Sequence, residues 1–282
     1  DMYNDKRQQI WDIGSQNFDP RGEIWESNIR HEELNTDFLA RANKRFGDIS
    51  TSLTLGSQLN HRSDVTVFTR GSVLSVRDYY NLKNASIIYS DNEEKIRRVA
   101  GIFGSADIGY KDFVYLTLGA RNDWASTFGP KAKSSFLYPN ASLSFVLTEL
   151  LPQSEWLTYL KLRASYAQAG REPLIYSSRT YYGRSTFTDG FTNGIGFPYL
   201  GRNGFTIGLE NPNVLGNEVL RPEINTSYEG GFDVRLWKNR ARAAFTYYVS
   251  KSSDLLLERP IASSSGFAYY TSNAGELQNQ GV

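Results

Sequence analysis

The chain has no cysteine and one methionine among its 282 residues. No disulfide can staple it, and thiol catalysis, iron–sulfur clusters and cysteine-held zinc are excluded. Charge of one sign is also missing: 31 Lys+Arg stand against 30 Asp+Glu. That balance gives no bulk attraction to nucleic acid or to acidic membranes, and no nucleic-acid partner is expected. No apolar run approaches the roughly 18 residues of a membrane helix. A transmembrane barrel remains possible, since its strands show only short alternating segments. The opening "DMYNDKRQQIW" has no apolar signal-peptide core, and the closing "NAGELQNQGV" stops in what reads as the start of another element. The sequence is therefore expected to be a piece of a longer chain.

Aromatics are plentiful, with 18 Tyr, 16 Phe and 5 Trp, and there are 24 Gly; the mixture suits strands and turns. Side chains alternate between the two faces of a strand, and this period recurs along the chain. In 110–124, "YKDFVYLTLGARNDW", Val114, Leu116, Leu118 and Ala120 share one face while Tyr115, Thr117, Gly119 and Arg121 share the other. The same pattern predicts strands near 34–43, 49–58, 100–108, 136–147, 158–169, 224–236 and 241–250, with another beginning near Asp254. Pro139 is a blemish in the fifth of these eight. None of the apolar faces carries Lys, Arg, Asp or Glu.

The connections alternate as well. Tight joins at "RFGD", "YKD" and "WKNR", with the modest "TELLPQSEW", fall at one end of the antiparallel strands. Long loops over 59–97, 123–135 and 170–222 fall at the other, and only the join at 251–253 breaks the rule. Aromatics gather near strand ends: Tyr110, Phe113, Trp156 and Trp237 at the short-turn end, Trp124 and Phe136 at the other. A one-sided soluble sheet would also keep charge off its core face, so alternation alone does not separate the two readings. Loop asymmetry, strand length and aromatic belts favour an outer-membrane barrel, with the apolar face against lipid and Arg121 in the lumen.

Two runs then carry a family resemblance. The stretch "VAGIFGSADIGYKDFVYLTLGARNDWASTFGP" (99–130) with "FLYPNASLSFVLTEL" (136–150) resembles the SusC/RagA-type TonB-dependent outer-membrane transporters of Bacteroidetes. So do 218–260, with "LRPE" and "YEGGFD", and 263–282, with its "NAG…NQGV" segment. The resemblance implies a plugged barrel of about 22 strands, a TonB contact, a SusD-like lipoprotein lid and import of oligosaccharides or peptides. It also implies that this chain is a partial barrel lacking plug, TonB box and closing strands, and that it depends on the rest of the parent for closure.

Catalytic and metal motifs are weak. His31 opens "HEEL", but the second histidine of a metalloprotease helix is absent, Asn35 standing there. "GRNGFTIG" (201–208) is no phosphate loop, and the sequons at Asn84, Asn140 and Asn225 mean little in a bacterial chain. Asp189, Glu210 and Glu223 are loop carboxylates without the fixed spacing, about 5–10 Å, that glycoside hydrolysis needs. The residues most suited to touch a ligand are the aromatics of the 170–217 loop: Tyr176, Tyr181, Tyr182, Phe187, Phe191, Phe197 and Tyr199, with Phe205 beside them. Packing within the loop, or onto the lid, is the plainer role for any one of them. Arg121, Lys161, Arg163, Glu229, Asp233 and Arg235 are expected on the lumenal face, pairing with one another, holding a plug or lining the substrate path.

The expectation is thus an all-β chain, an antiparallel transmembrane β-barrel segment of about eight to nine strands. It is expected to be no enzyme, to need no cofactor or metal, and to serve TonB-energised import through the outer membrane. A surface adhesin or glycan-binding module is the alternative; Lys at Leu116 or Leu118 would be tolerated only there.

Overall fold

The computed structural model describes residues 1–15, 20–152, 154–187, 194–202 and 204–282. The strands are β1 (Met2–Trp11), β2 (Glu23–Phe46), β3 (Ile49–Leu74), β4 (Ala85–Tyr110), β5 (Val114–Ala125), β6 (Ser135–Val146) and β7 (Leu157–Arg171). Seven short ones follow: β8 (Gly183–Arg184), β9 (Thr186–Phe187), β10 (Ile195–Gly196), β11 (Tyr199–Gly201), β12 (Gly204–Thr206), β13 (Leu209–Glu210) and β14 (Val214–Leu215). The chain closes with β15 (Glu223–Leu236), β16 (Ala241–Ser253), β17 (Leu256–Pro260), β18 (Tyr269–Asn273) and β19 (Leu277–Gly281). One ten-stranded sheet runs β1-β2-β3-β4-β5-β6-β7-β15-β16-β19.

All eight strands read from the alternation are present, and the differences lie in what the alternation did not cover. β1 was not anticipated. The expected loop 59–97 is mostly strand, since β3 and β4 are each 26 residues long and leave only 75–84 between them. The strand expected near Asp254 is β17, but it pairs with β18, not with β16. The barrel neighbour of β16 is β19, so the join at 251–253 is the start of a long connection over 254–276. With that, short and long connections alternate along the sheet except at 147–156, which is as long as 75–84 and longer than 126–134.

Two of the joins have local causes. Lys111 and Asp112 both adopt positive φ, 47° and 57°, the conformation of a type I′ turn whose twist matches its flanking strands. In the 75–84 connection, buried Asn84 replaces a hairpin turn. Its amide donates to the Val76 and Tyr79 carbonyls at 2.6 and 2.7 Å and accepts the Val76 N–H at 2.9 Å.

By contacts the chain forms two compact units: Asp1–Leu34, Asn60–Arg97 and Thr180–Asn213 in one, Asn35–Leu59, Arg98–Arg179 and Val214–Val282 in the other. In the second, the register sorts side chains by chemistry. Ile108, Leu116, Leu143 and Ala164 lie opposite one another across β4 to β7. Phe145, Leu162, Phe232 and Phe245 make the next row, across β6, β7, β15 and β16. From Ala100 to Val249 this face carries no charged residue in β4, β5, β6, β7, β15 or β16. The other face carries Asp107, Arg121, Asp123, Lys161, Arg163, Glu229, Asp233, Arg235 and Arg242.

Glycines show which face is concave. On the polar face, a Cβ at Gly56 would lie 2.4 Å from the Phe103 ring, one at Gly101 2.4 Å from Arg121, and one at Gly119 2.7 Å from Asn140. On the apolar face, a Cβ at Gly230 would meet nothing within 4 Å, and one at Gly104 would come no closer than 3.0 Å, to Leu55. Side chains converge on the inside of a curved sheet and splay on its outside, so the polar face is the inner one. The exposures agree: Ile102 is 59 % and Leu137 61 % exposed. Strands of 12 to 15 residues in β5, β6, β7, β15 and β16 suffice for the roughly 9–11 that cross a bilayer.

The first unit holds the remainder of β1 to β4. Buried Glu23 accepts the Trp25 indole N–H at 2.9 Å and pairs with Arg70. Trp25 in turn meets Trp11 and Phe68 edge-on, at 4.7 and 5.8 Å between ring centres. His31 is buried, bonded through Nδ1 to Asp64, with Nε2 3.7 Å from Glu33 and its ring stacked on Tyr3 at 4.9 Å. Among the described residues no cluster of His, Asp and Glu is arranged to hold a metal ion.

Candidate functional site

On the inner face of the second unit, β7, β15 and β16 bring five of the six expected lumenal charges together. Asp233 lies opposite Lys161 in the register, and Glu229 opposite Ser165. Arg163 Nη2 donates to Thr246 Oγ1 at 2.5 Å, and its Nε is 4.0 Å from Asp233. Arg235 stacks over the Tyr159 ring at 4.8 Å. These residues line two hollows, one of about 270 Å³ with Lys161, Arg163, Glu229 and Thr246, the other of about 420 Å³ with Lys161, Asp233, Arg235 and Arg242.

The sixth, Arg121 on β5, belongs to a separate group. Its Nε donates to Asp123 at 2.7 and 2.9 Å and its Nη2 to Gln58 at 2.9 Å, over the Phe103 ring. A third hollow, about 600 Å³, opens near the tight turns between Arg45, Ser50, Ser52, Asp107, Tyr115 and Thr117. Sequence reasoning did not single out these residues; their only signal was membership of the polar face.

The aromatic loop is built from short ladders. In the first unit β8 pairs with β13, β9 with β10 and β11 with β12. Tyr182 and Phe187 are 68 % and 76 % exposed, and Tyr181 and Tyr199 are exposed too. Phe197 is half-buried and packs on Gly208, where a Cβ would sit 2.5 Å from its ring. Arg184 Nη1 donates to the Tyr89 hydroxyl at 3.2 Å. In the second unit Tyr176 is exposed, in a left-handed turn with φ 67°. Phe191 and Asp189 lie outside the described residues, as does the side chain of Phe205. Glu210 accepts from Ser185 at 3.3 Å and Glu223 from the Leu256 N–H at 2.8 Å, so each carboxylate has a structural partner.

Of the expected belt, Trp156, Trp237, Tyr110 and Trp124 are exposed at strand ends, and Tyr110 meets Phe113 edge-on at 5.6 Å. Phe136 does not belong with them. It lies opposite Asp123, on the charged inner face, and packs against Phe128 at 4.8 Å. Two residues inside a strand cannot share a face when their sequence parity across the ladder differs.

The model of the family described as TonB dependent receptor-like, beta-barrel matches residues 2–282. The chain belongs to this family. Members of this family are TonB-dependent receptors of the outer membrane of Gram-negative bacteria. Among curated relatives, TonB-dependent receptor P26 of Formosa agariphila is 31 % identical over 65 % of this chain and 18 % of its own length. TonB-dependent receptor P3 of the same organism is 27 % identical over 85 % of the chain and 23 % of its own. The chain thus spans about a fifth of these relatives. In fold it superposes on the RagAB peptide transporter with a TM-score of 0.82, at 19 % identity, over 99 % of this chain and 30 % of that one. The ferric enterobactin receptor PfeA of Pseudomonas aeruginosa gives 0.52 at 16 %. The SusC/RagA-type resemblance of 99–150 and 218–282 agrees with the RagAB fold.

Proposed function

We propose that this chain is barrel wall of an outer-membrane importer that takes up oligosaccharides or peptides with energy from TonB, the ligand held beneath a SusD-like surface lipoprotein. The observation that carries the reading is the sorting of the register: an uninterrupted charge-free face outside and a charged, hollowed face inside. A soluble adhesin has no use for an outer face this apolar. Family membership supports import, and the RagAB neighbour, a peptide transporter, supports the lid and a peptide or similarly sized ligand. In this reading plug, TonB segment and closing strands are supplied by the rest of the parent protein. Tyr181, Tyr182, Phe187 and Tyr199 offer ring faces to a sugar or an apolar side chain, and Tyr176, Phe191 and Phe197 belong to the same loop. Lys161, Arg163, Glu229, Asp233, Arg235 and Arg121 face the interior, toward plug or cargo. Passage needs binding and release but no covalent step.

The test uses the full-length parent extracted from outer membranes. Unboiled protein should migrate faster than boiled protein and retain its lipoprotein partner through affinity purification. Uptake of a labelled tryptic peptide digest or malto-oligosaccharide mixture should stop when TonB is deleted. Full solubility without detergent, with no migration shift, would refute the reading.

A further inference from the structure

The aromatic segment 180–213 is closed at its base by a small set of contacts lying wholly within the second unit. Gly216 packs on the backbone of Arg179 so tightly that a Cβ would sit 2.3 Å from the Arg179 carbonyl carbon. The Asn217 N–H donates to the Ser177 carbonyl at 3.2 Å. The Asn217 side chain, 8 % exposed, donates through Nδ2 to the Thr271 carbonyl at 3.1 Å and accepts the Val219 N–H at 3.0 Å. Beside it, Val214 and Leu215 pair in parallel with Tyr269 and Tyr270, and Leu220 is fully buried. Asn217 therefore ties three stretches of chain: its main-chain N–H holds the turn at 174–179, and its side-chain amide joins the return at 214–220 to β18.

We infer that Asn217 is the positioning residue of a closed neck that pre-organises the 180–213 segment for ligand, an inference that rests on reading that segment as ligand-contacting. A flexible loop must lose conformational freedom when it clamps a ligand, and this loss weakens binding. Fixing the two ends beforehand removes part of that cost. An asparagine suits the place because one planar group is both donor and acceptor. Alanine leaves the Thr271 carbonyl and the Val219 N–H without their partner. Aspartate keeps the acceptor but sets a carboxylate against the Thr271 carbonyl.

The experiment uses the full-length parent with N217A and N217D, probed with a tryptic peptide digest and a malto-oligosaccharide mixture, following whichever the wild type retains. Both variants should keep the heat-dependent migration shift, be cut by trypsin at Arg179, Arg184 or Arg202 at least about tenfold faster, and bind the probe about tenfold more weakly. A disulfide between L215C and Y270C, neighbours in the β14–β18 ladder, should restore the affinity of N217A when oxidised and lose it when reduced. Wild-type affinity in N217A, no rescue by the oxidised pair, or loss of the migration shift would each overturn the inference, the last because Asn217 would then serve the barrel and not the loop. Y182A and F187A, with the neck intact, test the underlying reading separately: unchanged binding there removes the ligand role of the segment whatever N217A does.

Discussion

Arg221 and Asn273 hold each other reciprocally: the Arg221 N–H donates to Asn273 Oδ1 at 2.8 Å, and Asn273 Nδ2 donates back to the Arg221 carbonyl at 2.7 Å. The same Nδ2 reaches the Asp254 carbonyl at 2.9 Å, and Asp254 accepts from Arg221 Nη2 at 2.7 Å. Two motifs about fifty residues apart, "LRPE" and the "NAG" segment, are thus two halves of one knot. Replacing Asn273 by Ala removes three hydrogen bonds and should cost about 1–3 kcal/mol locally. Amide exchange across 254–276 should accelerate while the core of β5 and β6 keeps its protection; uniform acceleration would mean that the knot belongs to the global fold.

The two faces should respond to charge in opposite ways. Leu118→Lys places an ammonium on the lipid side, at a cost of about 2–4 kcal/mol. Ser142→Lys places it on the inner face, beside a hollow, and should change stability by no more than ~0.5 kcal/mol. Urea unfolding of the parent protein in liposomes measures both; equal costs would contradict the assignment of faces.

Gly230 and Gly231 are neighbours with contrasting surroundings. Gly231→Ala drives a Cβ to 2.3 Å from the Phe245 carbonyl oxygen, whereas Gly230→Ala meets nothing within 4 Å. The first should destabilise by about 1–3 kcal/mol, and the second should be neutral or stabilise by ~0.4–1 kcal/mol. The same unfolding assay, or the boiling temperature at which the migration shift is lost, gives the order.

Acid should loosen the first unit before it reaches the barrel. Burial works to raise the pKa of Asp64, but the hydrogen bonds from His31 and Arg62 and their charges together bring it below its ordinary value. A carboxylate held low in the folded state contributes stability that is complete above its unfolded pKa, about 3.9, and is lost as pH falls through the folded value. Amide protection around His31 and Asp64 should therefore persist from neutrality to about pH 4 and decline below it. Asp64→Asn should be less protected at pH 7 and should flatten that decline. A profile identical to wild type would show that the carboxylate does not hold these strands.

The bilayer decides how much of this was legible. Where a strand faces lipid, one face must be apolar and the other need not be, so β5, β7, β15 and β16 announce themselves by alternation. Beyond that reach the requirement lapses. β1, "MYNDKRQQIW", and the outer parts of β3 and β4 carry polar residues on both faces and are held by backbone pairing and by cross-strand contacts such as Trp11–Trp25 and His31–Asp64 that no alternation marks, which is why 59–97 read as loop. β19, "LQNQG", shows no alternation for the same reason and was legible only as the start of a further element. Phe136 shows the reverse error, an aromatic near a strand end whose parity sends it inside. The shared inner face of these charges followed from parity once strands were placed, but the separation of Arg121 from the other five depends on which strands are neighbours. The motifs "LRPE" and "NAG" stood out as family marks. Their contact, and the place of Asn217 beside it, required the pairing of β17 and β18, which no local pattern encodes.

The chemical sorting of β5 and β6 also bears on assembly. If β5 slid by one residue against β6, Arg121 and Asp123 would turn toward hydrocarbon and Leu118 toward the interior. Each misdirected Arg alone would be penalised by about 2–4 kcal/mol near the midplane, whereas the backbone bonds of the two registers are nearly equivalent. The membrane therefore acts as a proofreader for this hairpin, rejecting the slipped alignment at the moment of insertion by a margin that hydrogen bonding cannot supply.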